Sequence, residues 1–81
     1  MIVRVLLFGP ERNAAGADSV AVEVAAGVSC GGLRTAISSQ HPALRPFLRA
    51  GRFAVNREFA AEDRPVGAGD EVALIGLVSG G

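Results

Sequence analysis

The sequence predicts a two-layer α+β domain, a small mixed sheet with one main helix across one face. Three observations carry that expectation. Branched apolar runs of strand length open and close the chain, at residues 2–8 (IVRVLLF) and 72–77 (VALIGL). Only one stretch repeats apolar residues at helical spacing, through Leu33, Ala36 and Ile37. The 81 residues contain no repeat and no low-complexity linker, leaving room for one modest core and no second catalytic domain. A single helix covers one face of a sheet, hence two layers.

The elements follow in order. Residues 2–8 form a strand whose middle carries Arg4, so one face is slightly more polar, and Gly9-Pro10 ends it. Residues 11–19 (ERNAAGADS) are polar and small and hold at most one helical turn. Residues 20–24 (VAVEV) alternate and form a second strand able to pair with the first. After a turn at 25–28, Ser29 stands where a helix N-cap belongs. Gly31 and Gly32 each weaken that helix by about 1 kcal/mol relative to alanine, which predicts an irregular first turn. Pro42 closes the helix and residues 44–48 form a short extra turn. Residues 52–56 (RFAVN) read as a strand, Asn56-Arg57 as a tight turn, 58–60 as a brief strand, 65–69 (PVGAG) as a loop, and 72–77 as the last strand.

Strand, strand, helix, then two or three strands is the order of the β-grasp, with four to five strands in the sheet. Its first and last strands lie parallel at the centre, where the two most apolar segments belong. The domain is expected to occupy residues 1–77, with 78–81 an extended flexible tail. Parity adds a statement about faces: if Val72, Leu74 and Val78 face the helix, Ala73, Ile75 and Leu77 face away. The side of the first strand that holds Arg4 also carries Leu6 and Phe8. Leu6, Phe8, Ile75 and Phe59 are therefore expected to form an apolar patch on the open face, as either a partner surface or a region covered by a loop.

Composition excludes several classes of function. Eight basic and eight acidic residues cancel, against a binder that tracks nucleic-acid phosphates. All the basic residues are arginine, so no side-chain amine exists for building chains of this protein upon itself. One cysteine makes no internal disulfide, and with one histidine it is too little for a structural zinc site, so no metal is expected. The apolar opening is too short for a signal segment or a membrane span, which points to a cytoplasmic protein without membrane partners. Cys30, near a helix N-terminus, is either a reactive thiol or a small packed residue. His41 has no companions in a triad-like arrangement. Glu62, Asp63, Asp70 and Glu71 form either an acidic contact surface or a solvated edge. Arg45, Arg49, Arg52 and Arg57 are candidates for a basic surface on the opposite side.

The terminal Gly80-Gly81 contributes little to packing and is costly to order. Four extended residues beyond Leu77 reach about 13 Å at ~3.3 Å each, enough to enter another protein's active site. Side-chain-free residues pass through a narrow channel, and the group they deliver is the Gly81 carboxylate. Conversion to an acyl-adenylate creates a good leaving group, which a sulfur nucleophile displaces to give a thiocarboxylate. A frayed terminus is the alternative.

The chain resembles the MoaD family, the ubiquitin-like sulfur-carrying small subunits of molybdopterin synthase. The resemblance spans nearly the whole sequence: Phe8-Gly9, Arg12 with Gly16, Ala54-Val55-Asn56 with Glu58, Gly69-Asp70-Glu71-Val72-Ala73, and the closing Val78-Ser79-Gly80-Gly81. It implies that Gly81 is adenylated by an E1-like enzyme using ATP and converted to thiocarboxylate by a sulfur donor enzyme. The large synthase subunit then receives the tail, in a heterotetramer of two small and two large subunits, and sulfur passes to cyclic pyranopterin monophosphate to make the molybdopterin dithiolene. Catalytic residues belong to the large subunit, and the carrier binds no cofactor of its own. Expected partner contacts are Phe8, Arg12, Phe59, Ile75, Leu77, Val78, Ser79 and Gly80. One departure is plain: the family commonly has Pro-Pro where this chain has Gly76-Leu77. Alternatives are a sulfur carrier for thiamine, cysteine or tRNA thiolation, a ubiquitin-like modifier, and a plain β-grasp binding module.

Overall fold

A computed structural model describes residues 1–76. Strand β1 (Ile2–Leu7) leads through helix α1 (Gly9–Ala15) to β2 (Ser19–Glu23) and the main helix α2 (Cys30–Gln40). A 3-10 turn (Pro42–Leu44) and helix α3 (Arg45–Leu48) precede β3 (Arg52–Val55), β4 (Glu58–Phe59) and β5 (Val72–Ile75). The five strands form one mixed sheet in the order β2-β1-β5-β3-β4. β1 and β5 are parallel, with Val5 opposite Val72 and Leu7 opposite Leu74, and every other pairing is antiparallel. This is the ubiquitin-like β-grasp. The expected boundary between domain and tail, at 77/78, lies outside the described residues.

Alternation decides what is buried. Val3, Val5, Leu7, Val22, Phe53, Val55, Val72 and Leu74 point from the sheet toward Leu33 and Ile37 of α2 and Leu44 and Leu48 beyond it. Leu33, Ile37, Phe53 and Leu74 are fully enclosed.

The helix starts where Ser29 predicts. Its Oγ accepts from the Gly32 amide at 3.1 Å. The first turn is regular, contrary to the expectation from two glycines, because its free amides have partners: Cys30 N–H donates to the Arg64 carbonyl (2.9 Å) and Gly31 N–H to the Glu62 carbonyl (2.8 Å). Arg34 ties four segments together. Its guanidinium donates to both Glu62 carboxylate oxygens at 2.9 Å, to the Gly51 carbonyl at 2.9 Å and to the Leu48 carbonyl, and lies over the Phe53 ring.

A second correction concerns α1, which runs for seven residues rather than the single turn expected. Pro10 in its first turn presets the backbone, Ala14 and Ala15 favour helix, and Gly16 ends it in the left-handed region at φ 70°, donating to the Arg12 carbonyl at 2.9 Å. The Asn56-Arg57 turn is confirmed, with φ of 53° and 69° as a two-residue hairpin of primed type requires. The Asn56 side chain then donates to Asp70 and accepts from the Glu71 amide, both at 3.0 Å, tying the hairpin to the start of β5.

The outer edge of β2 is covered by side chains. Gln40 Oε1 accepts from the Glu23 amide (2.9 Å), its Nε2 donates to the Glu23 carbonyl (2.7 Å), and His41 Nε2 lies 2.8 Å from the Ala21 carbonyl. The roles of His41 and Cys30 are thus structural. Cys30 is fully buried and its thiol is pushed above its ordinary pKa, chiefly by burial, so it is a packed residue and not an activated nucleophile.

Two carboxylates sit below their usual range. Asp70 is lowered chiefly by the Gly67 amide and then by Asn56, Glu62 chiefly by its hydrogen bond from Arg34. A depressed folded-state pKa contributes stability above the unfolded value and loses it as pH falls through the folded one. Acidification through and below the ordinary carboxylate range is therefore expected to lower the thermal midpoint, and Asp70→Asn to make that acid limb shallower, as melting curves across pH will measure. Leu33→Ala is expected to cost about 2–5 kcal/mol in urea unfolding. Cys30 is expected to resist iodoacetamide in the native protein and to react once urea unfolds the chain, read by mass.

Candidate functional site

The open face of the sheet carries the site, and the strand register builds it. Leu6 stands opposite Ala73, Ala73 opposite Ala54, and Ala54 opposite Phe59, a row across β1, β5, β3 and β4. The next outward positions are Phe8, Ile75 and Arg52, with Arg52 paired to Ile75. Two alanines at the middle of the row, flanked by larger side chains, leave a depression of about 430 Å³. Phe8 and Phe59 form its walls and are 54% and 60% exposed. Rings this open to water in so small a domain contribute little to its own core, which makes them available to another molecule.

The rim is polar and held in place. The Arg52 guanidinium lies over the Phe59 ring, 4.5 Å from its centroid, and Arg57 pairs with Glu71 at 3.5 Å. The parallel pairing of β1 with β5 brings the end of β5 beside the end of β1, so Gly76 emerges next to Phe8 and α1. There the Glu11 carboxylate packs on the Gly76 backbone so closely that a Cβ at position 76 would overlap it. Glu11 is the buried charged residue of the described chain, 4% exposed. The overlapping atoms are the end of the flexible Glu11 side chain, which a residue with a Cβ at position 76 would displace.

Of the contact residues expected from sequence, Phe8, Phe59 and Ile75 meet in this groove together with Leu6. Arg12 does not join them: it is exposed on α1, paired with Asp18 at 2.5 Å, beside a separate depression with Asn13 and Gly16. Leu77, Val78, Ser79, Gly80 and Gly81 lie outside the described residues. The acidic candidates are largely committed within the fold, Glu62 to Arg34, Asp70 to Arg64 and the Gly67 amide, and Glu71 to Arg57. Sequence reasoning missed Ala54 as floor, Arg52 as the cation stacked on Phe59, and Glu11 as the residue under the tail's root. A signal existed for the first two, since both alternate outward on β3, but it becomes readable only with the register.

Among the described residues no group of three or more His, Cys, Asp or Glu side chains is placed to hold a metal, and no helix is long and apolar enough to cross a membrane. The groove is an exposed apolar depression. Its chemistry is apolar contact with a charged rim at the root of a terminal segment.

Comparison with known proteins agrees with this architecture. The molybdopterin synthase sulfur carrier subunit of Chlamydomonas reinhardtii is 34% identical over 83 residues, covering 100% of each chain. The protein of the same name from Mycobacterium tuberculosis is 38% identical over 80 residues, covering 98% of this chain and 96% of that one. The crystal structure of SAMP1, small archaeal modifier protein 1, from Haloferax volcanii superposes with a TM-score of 0.83 at 30% identity, with 100% of both chains covered. The ThiS family matches residues 5–81, through the groove strands to the terminal glycine, and the chain belongs to that family.

Proposed function

We propose that this protein is the sulfur-carrier subunit of molybdopterin synthase. The observation that carries this reading is the end-to-end similarity to two relatives of that name. The groove at the root of the tail supports it, because a carrier whose terminus enters another protein needs a docking surface beside the point of departure. An E1-like enzyme joins the Gly81 carboxylate oxygen to the α-phosphorus of ATP with loss of pyrophosphate. Hydrosulfide supplied by a donor enzyme attacks the acyl carbon and AMP leaves, so that Gly81 ends in a thiocarboxylate. The large synthase subunit docks on Phe8, Phe59 and Ile75 and takes in Leu77, Val78, Ser79 and Gly80. Each thiocarboxylate gives one sulfur to cyclic pyranopterin monophosphate and Gly81 returns to a carboxylate by taking an oxygen from water, so two deliveries build the dithiolene.

In this reading the chain supplies no catalytic acid or base; those belong to the large subunit. It binds no cofactor, ATP being consumed by the activating partner. Residues 1–77 act as the docking domain and 78–81 as the delivered tail, in a cytoplasmic assembly of two small and two large subunits. Arg12 remains a candidate contact outside the groove.

The similarity to small archaeal modifier protein 1 favours a second reading, conjugation of Gly81 to amines on other proteins. Both readings use an adenylated terminus and they differ in the acceptor. Incubation with ATP, an E1-like enzyme and a sulfur source is expected to replace one C-terminal oxygen by sulfur in the intact mass. Conjugates to target lysines in cell extract, with no thiocarboxylate, would favour the modifier instead. Removal of Gly80 and Gly81, or extension beyond Gly81, is expected to abolish the mass change while leaving the melting temperature unaltered. Phe59→Ala is expected to weaken association with the large subunit by about 1 kcal/mol or more with little effect on folding, measured by titration calorimetry and urea unfolding.

A further inference from the structure

We propose that Arg49 and Arg52, with Arg45 one helical turn behind, form a cationic rim at the root of the tail that meets an acidic edge on the large synthase subunit. The inference rests on the synthase reading above and adds the charge of the surface that receives the tail.

The arginines of this chain divide into two sets. Arg12, Arg34, Arg57 and Arg64 each pair with a carboxylate. Among the described residues no carboxylate pairs with Arg4, Arg45, Arg49 or Arg52, and all four are exposed. The last three are also contiguous. Arg45 and Arg49 line a concavity of about 510 Å³ between α2 and α3, and Arg49 and Arg52 line the adjoining one of about 590 Å³. The carboxylate nearest that second concavity, Glu62, is held through both oxygens by Arg34.

Position makes this strip relevant to the tail. Arg52 stands directly across the sheet from Ile75, one residue before Gly76, and Gly51 packs against Leu74. A protein that takes in the tail must close around its root, so it covers Arg52 and approaches Arg49. Covering a guanidinium without an anion is costly, so an apolar or basic rim is disfavoured there and an acidic one favoured. Stacking on Phe59 holds the Arg52 guanidinium at the edge of the groove before any partner arrives, which reduces the ordering cost of pairing it. Arg52, which lines the second concavity and stacks on Phe59, thus joins the cationic strip to the wall of the apolar groove.

The test is the association rate with the purified large subunit, measured by stopped flow at low and high salt. Arg49→Glu is compared with Arg4→Glu, an equal charge change at an exposed arginine toward the other end of β1 that lines neither concavity. Arg49→Glu is expected to slow association about tenfold or more at low salt, with the deficit shrinking as salt screens it, while Arg4→Glu stays within about twofold of the parent. Equal effects of the two variants, or a deficit at Arg49 that salt does not reduce, would overturn the cationic rim and leave the synthase reading standing. If the parent protein does not associate with the large subunit at all, the synthase reading falls and this inference with it.

Discussion

The parallel pairing of β1 with β5 is the constraint on which the remainder depends. Parallel neighbours cannot be joined by a tight turn, so the chain between them must leave the sheet and return, and α2 is carried in that excursion. The pairing also buries both strands on one face, through Val5, Leu7, Val72 and Leu74. It places the last strand at the sheet centre, so the segment that follows departs beside Phe8, Glu11 and Arg52 instead of at a frayed margin. Core, groove and tail root are consequences of one register.

Polar groups then hold the long connections to that register. Arg34 and Ser29 serve the same end by different means. Ser29 and the carbonyls of Glu62 and Arg64 satisfy the amides that start α2, while Arg34 draws residues 48, 51 and 62 onto the same helix. A domain this small has little apolar surface to spare for fixing loops. Fixing them with hydrogen bonds leaves the apolar residues of the open face uncommitted.

Much of this was legible in the sequence because the informative signals were local or periodic. Ser29 as cap, Asn56-Arg57 as turn and the inward Val72 and Leu74 needed only spacing and residue chemistry. What could not be read depended on partners distant along the chain. The regular first turn of α2 depends on carbonyls about thirty residues away, beyond the reach of a propensity argument that counts two glycines as a defect. The length of α1 depends on a left-handed Gly16 and on packing against the 3-10 turn. For the site, parity found Phe8, Phe59 and Ile75, yet the depth of the groove follows from Ala54 lying beside Ala73, a fact of register.

The covering of β2 by Gln40 and His41 bears on how partners can approach. Sheets with bare margins recruit extended peptides by β-augmentation, and they also risk joining copies of themselves. Here one margin has backbone groups already engaged by side chains, and the other ends in a strand of two residues. Lengthening the sheet by a foreign strand is therefore unfavourable on either side, which leaves recognition to the broad face and whatever issues from its centre.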